Sequence, residues 1–156
     1  MEEEKLHIWL KLIALLLLIQ VATASPNKYN AENSNAKSIQ MFASFSMPEQ
    51  LFKEVLAESA RLKIPAVLNG LHNNSMQETA KVIFALTEEI PNLSLQIDPT
   101  AFEKFKIKQV PALVVAGEQY FDVIYGNFKL REGLRRIVDS GESGFSENDL
   151  REIIGD

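Results

Sequence analysis

The sequence predicts a single α/β domain in which helices cover both faces of a mixed sheet, with the element order β-α-β-α-β-α-β-β-α. Three observations lead there. Short apolar runs, alternating or continuous, recur between longer segments whose apolar residues repeat at helical spacing. Strands separated by helices pair in parallel through right-handed crossovers, while a tight turn at Gly117-Glu118 implies one antiparallel hairpin at an edge. Finally, 156 residues that are 46% hydrophobic and 24% charged have a globular composition and enough length for one buried core. No internal repeat interrupts this pattern.

The first segment belongs to no fold. Leu12–Val21 is uncharged and apolar, Lys5 and Lys11 flank its start, and Ala22-Thr23-Ala24 gives the small-x-small pattern of a signal peptidase site. Residues 1–24 are therefore expected to be a signal peptide cut between Ala24 and Ser25, although Glu2, Glu3 and Glu4 make its start acidic where such leaders are basic. The run is shorter than the roughly 20 residues of a membrane-spanning helix, so no stable membrane insertion is expected after cleavage. An uncleaved anchor is the alternative. Residues 25–38, rich in Asn and Ser, read as a flexible lead-in to a domain over 39–139.

Ile39–Phe45 alternates as a strand. Ser46-Met47-Pro48-Glu49 reads as a capping box with proline in the first turn, opening a helix whose apolar positions are Leu51, Phe52, Val55, Leu56 and Leu62. Ile64–Leu68 is a short strand ended by Asn69-Gly70. Ser75–Glu78 is a second capping box, and its helix runs to about Glu89 with Ala80, Val82, Ile83 and Leu86 on the apolar face. Leu93–Ile97 is the third strand, closed by Asp98-Pro99, and a short helix follows over Thr100–Phe105. Pro111 introduces the strand Ala112–Ala116, and Tyr120–Tyr125 completes the hairpin. A helix over Leu130–Val138 ends before Ser140–Gly144, leaving 140–156 as a linker and a short helix from Ser146 to Ile154.

Composition excludes several chemistries. The chain has no cysteine, which removes disulfides, thiol catalysis and thiolate metal sites. The net charge of −5 becomes −4 once the leader's three glutamates and two lysines are gone, so the footprint of a nucleic-acid binder is missing. His72, the one histidine after residue 24, cannot build a metal cluster alone and reads as a solvated loop residue. Isolated Gly117 and Gly126 make no phosphate-cradling loop. No cofactor is expected.

Four segments occur in register: Phe42–Pro48, Leu68–Leu71 with Asn73–Ser75, Ile97–Thr100 with Phe102, and Val110–Ala112. Together with the element order, which is that of the thioredoxin-like fold, they resemble the TrbC-type pilin-assembly proteins of F-type conjugative transfer systems. The resemblance covers about Ile39 to Val138 and departs at Asn69, where an arginine is expected. It implies a periplasmic, non-enzymatic accessory of a type IV secretion machine that helps assemble a conjugative pilus. Its partners would be other envelope proteins of that machinery, with pilin among the candidates.

The resemblance also locates a candidate site. Ser46 and Glu49 fall about where thioredoxins carry their two cysteines, so the fold's redox function is chemically impossible here. Ser46 could serve as a nucleophile only beside a base, and a capping role accounts for it. Pro111 matches the proline that such proteins hold in cis, although most X-Pro bonds are trans. Phe45, Ser46, Met47 and Pro48 with Val110 and Pro111 are therefore expected to frame a groove for an extended peptide. Besides this binding module, a thiol-independent chaperone, a hydrolase using Ser46, and a tethered structural domain remain open, since one fold hosts many functions.

Overall fold

A computed structural model describes residues 37–155. The expected signal peptide, its cleavage site at Ala24-Ser25 and the lead-in up to residue 36 lie outside the described residues. The elements are β1 (Ser38–Ala43), α1 (Glu49–Arg61), β2 (Ala66–Leu68), a 3-10 turn (His72–Asn74), α2 (Met76–Glu89), β3 (Leu95–Ile97), α3 (Pro99–Lys104), β4 (Ala112–Ala116), β5 (Phe121–Tyr125), α4 (Leu130–Ser140) and α5 (Glu147–Ile154). This is the expected order. The first strand stops two residues early because the chain turns at once, Met47 N donating to Ser44 O at 3.1 Å.

The strands lie in the order β3-β2-β1-β4-β5. β1 pairs in parallel with β2 and β2 with β3, whereas β1–β4 and β4–β5 are antiparallel. Both parallel crossovers move the chain the same way across the sheet, so right-handedness sends α1 and α2 to the same face. That face holds the larger core. Phe52, Val55, Leu56 and Ala60 of α1, Leu86 of α2, and Leu130, Leu134 and Ile137 of α4 pack there on Met41, Ala43, Leu68, Leu113 and Val115.

The opposite face carries a single short helix among the described residues. Phe42, Val67, Ala112 and Val114 are closed over by Ala101, Phe102 and Phe105, from α3 and its end. The rings pack edge-on, with centroids 4.8 Å apart for Phe42 and Phe102 and 5.9 Å for Phe42 and Phe105. Helices do cover both faces, but very unequally.

The stretch after Ser140 is more than a linker. Phe145 and Leu150 are buried in the larger core, and α5 starts with a capping box between Ser146 and Asp149. The approach is tight at the β4–β5 turn, where a Cβ on Gly117 would fall 2.0 Å from the Ser143 carbonyl oxygen. The Asp122 carboxylate accepts hydrogen bonds from the N–H groups of Glu142 (2.8 Å) and Ser143 (2.9 Å). Lys37, just before β1, donates to Asp149 at 2.5 Å, and both line a cavity of about 440 Å³ with Ile39, Phe145 and Ile153. No described helix is long and apolar enough to cross a membrane.

Candidate functional site

Ligand sites in open α/β sheets gather beyond the carboxyl ends of the parallel strands. The loops leaving β1 and β2 form an open cavity of about 300 Å³ at that end, lined by Ser44, Phe45 and Ser46 from one loop and Asn69 to Asn73 from the other. Ser44 shapes the first loop. Its Oγ accepts from Ser46 N (3.2 Å) and lies 2.9 Å from Ser46 Oγ.

Ser46 therefore does not cap α1, contrary to the sequence expectation. The cap position is held by Pro48 (φ −53°, ψ 134°), and no side chain caps the helix. The turn from Ser44 to Met47 uses Ser46 before the helix begins, and the Pro48 carbonyl then accepts from Phe52 N at 2.9 Å. Glu49 stands in the first helical turn, where a carboxylate meets the positive end of the helix dipole.

The second loop is set by local chemistry that the sequence did announce. Ser75 caps α2 by accepting from Glu78 N at 3.3 Å. The other half of the expected box is absent, because the Glu78 carboxylate accepts from the Asn73 side-chain amide at 2.8 Å. Asn73 and Asn74 both adopt left-handed backbone (φ 49° and 54°), which asparagine tolerates better than most residues, and Gly70 has φ 122°. Thr79, fully buried, ties the loop down by accepting from His72 N (2.8 Å) and donating to Ser75 O (2.7 Å).

His72 is the residue that the sequence reading undervalued. Its ring is not simply in solvent but meets Phe45 edge-on, with centroids 5.1 Å apart, and Phe45 in turn tilts against Phe52 at 5.4 Å. A loop histidine separated from its aromatic neighbour by α1 and β2 leaves no local signal. His72 and Ser46 line the same cavity, yet their hydrogen bonds go elsewhere: Ser46 Oγ to Ser44 Oγ, and His72 Nε2 to the Asn73 amide at 3.3 Å.

The remaining predicted site residues divide. Met47 is half-buried against the larger core, as is Phe45, while Pro48 is exposed. The Val110-Pro111 bond is cis, as the resemblance implied. The β1–β4 register ends at Phe42↔Ala112, so Ser44–Ser46 and Val110–Pro111 leave the sheet side by side at the same end. Val110, however, packs on the smaller core across the sheet from Phe45 and Met47, and neither it nor Pro111 lines the cavity. Among the described residues, no hydrogen bond engages the main chain of Val110.

No carboxylate among the described residues lines the cavity between the two loops. Carboxylates with displaced pKa lie outside it, and Asp98 is held below its ordinary value by the Thr100 hydroxyl and then the Ala101 N–H, as the cap of α3. Among the described residues, no group of three His, Cys, Asp or Glu side chains could hold a metal ion.

Comparisons with known proteins agree on family and fold. The family described as type-F conjugative transfer system pilin assembly protein matches residues 41–142. The periplasmic protein TrbC of Escherichia coli (strain K12) is 37% identical over 115 residues, covering 74% of this chain and 54% of that protein, so the chain spans about half the length of that relative. Among solved structures, MTB dsbF is similar with a TM-score of 0.51 and 15% identity, over 70% of this chain and 84% of that one. The exposed lipoprotein thioredoxin Etrx1 of Streptococcus pneumoniae strain TIGR4 is similar with a TM-score of 0.50 and 11% identity, over 70% and 89%. These likenesses establish a thioredoxin-like fold.

Proposed function

Because this chain belongs to the family of type-F conjugative transfer system pilin assembly proteins, we propose that it works in the periplasm as a non-enzymatic protein-binding module during pilus assembly. The observation that carries this reading is the cavity between Ser44–Ser46 and Asn69–Asn73. It sits where the fold presents ligands, and it offers hydroxyls, side-chain amides and the Phe45–His72 ring pair for contact. Its partners are other components of the conjugative machinery, with pilin among the candidates. The main chain of Val110, beside the cavity and outside the hydrogen-bonded pairs of the described residues, extends the surface toward an extended segment.

Ser46 and Asn69 are both exposed, so they can be altered without disturbing the core. The double variant Ser46→Glu/Asn69→Glu should keep the thermal midpoint of the wild type and lower both pilus number and conjugative transfer, by about tenfold for a disrupted contact of ordinary strength. Wild-type transfer by the folded variant would remove the cavity from the working surface. Hydrolysis of ester or peptide substrates that is abolished by Ser46→Ala and by His72→Ala would replace the binding module with an enzyme.

A further inference from the structure

We propose that the outer edge of β5 is a second binding surface, one that takes an acidic, extended protein segment as an added strand. It does not depend on the cavity at the other side of the sheet. β5 is a terminal strand of the sheet. Gly117 N donates to Tyr120 O and Gly126 N to Pro111 O, both at 2.9 Å. With the β4–β5 register, the antiparallel alternation then directs the main-chain groups of Ile124 and Asp122 to β4 and those of Phe121, Val123 and Tyr125 outward.

The same three residues turn their side chains to the thinly covered face. The Phe121 ring meets Phe105 edge-on at 5.2 Å, Val123 packs on the smaller core, and Tyr125 Oη donates to Lys106 O at 3.4 Å. Phe121 and Tyr125 remain 40% and 41% exposed, a degree of exposure that leaves apolar surface for an incoming strand's own side chains. Natural edge strands are usually short or guarded by inward charges or bulges, and β5 presents five regularly paired residues.

Charge selects the partner. Lys104-Phe105-Lys106-Ile107-Lys108 alternates so that Phe105 and Ile107 turn to the core while all three lysines are exposed. Lys104 Nζ lies 4.9 Å from the centre of the Phe105 ring. Among the described residues Lys106 and Lys108 have no ion pair, and Lys104 has only a weak attraction to Asp98. The one carboxylate of β5, Asp122, points to the other face and is held by Glu142 and Ser143. In a chain of net charge −5, this is a basic border along a free strand edge, complementary to a segment that alternates apolar and acidic residues.

The test uses the isotope-labelled full chain and a capped synthetic peptide of alternating glutamate and valine, followed by amide NMR. The expected result is saturable shifts at Phe121, Val123 and Tyr125, weakened by about tenfold in Lys106→Glu/Lys108→Glu. They should be absent in Val123→Pro, which removes an outward N–H and leaves the β4 ladder intact. A glutamine–valine peptide should bind less tightly. If Val123→Pro fails to fold, the lysine variant alone decides, since its substitutions are exposed. Equal binding by Val123→Pro, shifts confined to the lysines, shifts at Ser46 and Asn69 instead, or concentration-dependent β5 shifts without peptide (a second copy of this chain on the edge) would each overturn the proposal.

Discussion

Ser59 is a polar side chain made necessary by a helix end. It is fully buried in α1, and its hydroxyl donates to Ile64 O at 2.5 Å while its own carbonyl accepts from Ile64 N at 2.9 Å. The two bonds close the reversal into β2 through Lys63, which takes a left-handed backbone (φ 55°). Ser59→Ala would leave the Ile64 carbonyl buried without its partner, and urea denaturation should show a loss of about 1–2 kcal/mol. An unchanged midpoint would mean that water or a shifted backbone replaces the bond. Contacts of this kind are opaque in a sequence. Ser59 looks like a helix surface residue, and Thr79 hides in the same way: the expected face of α2 included Ala80, which is exposed, in place of Thr79, which the loop's hydrogen bonds draw inward.

At the scale of elements, α5 stands where the sequence put a short helix, and it packs into the larger core. The sequence placed its start at Ser146, and in the structure Ser146 and Asp149 satisfy each other there. The same local logic failed at Ser46, where proline occupies the cap and a preceding turn claims the hydroxyl. Neither pattern reveals whether a terminal helix is an appendage or part of the core. Leu150 is completely buried, and its truncation to alanine should cost about 2–5 kcal/mol by thermal or chemical denaturation. Arg151→Ala, which removes only an exposed pair with Glu147 (3.7 Å), should change stability by less than about 0.5 kcal/mol. Equal effects from the two would show that α5 is not integrated. The element order was legible in the residues themselves, and the cis bond at Pro111 through the family resemblance. The cavity was legible in half, since Phe45 and Ser46 are local to their motif while His72 and Asn73 join them only through the crossover.

For the molecule as a whole, two carboxylates link the chain's final segment to acid stability. Burial alone would raise the pKa of Asp122, but the hydrogen-bond donors of Ser143 and Glu142 outweigh it and bring it below the ordinary 3.8. The Ser143 hydroxyl, buried without a hydrogen bond of normal geometry, still favours the charged carboxylate beside it. Asp149 behaves likewise: burial opposes ionisation, and Lys37 and Ser146 overcome it. A lowered folded-state pKa gives stability that is fully present above the unfolded value and lost as pH falls through the folded one. The thermal midpoint should therefore be level at neutral pH and fall as the pH drops below about 4. Asp122→Asn should start lower and fall less steeply. Parallel curves for variant and wild type would exclude this role for Asp122.

The contact between Lys37 and Asp149 also decides what the molecule can turn outward. It draws the entry to β1 and the final helix together at one pole, and the cavity between Ser46 and Asn69 lies at the other, beyond the carboxyl end of β1. The six residues of β1 separate the poles by about 20 Å. Residue 37 and α5 therefore both stand at the end of the domain opposite that cavity. A tether, a fluorescent reporter or a resin fixed there would leave the opposite rim facing its surroundings, free to be approached head-on.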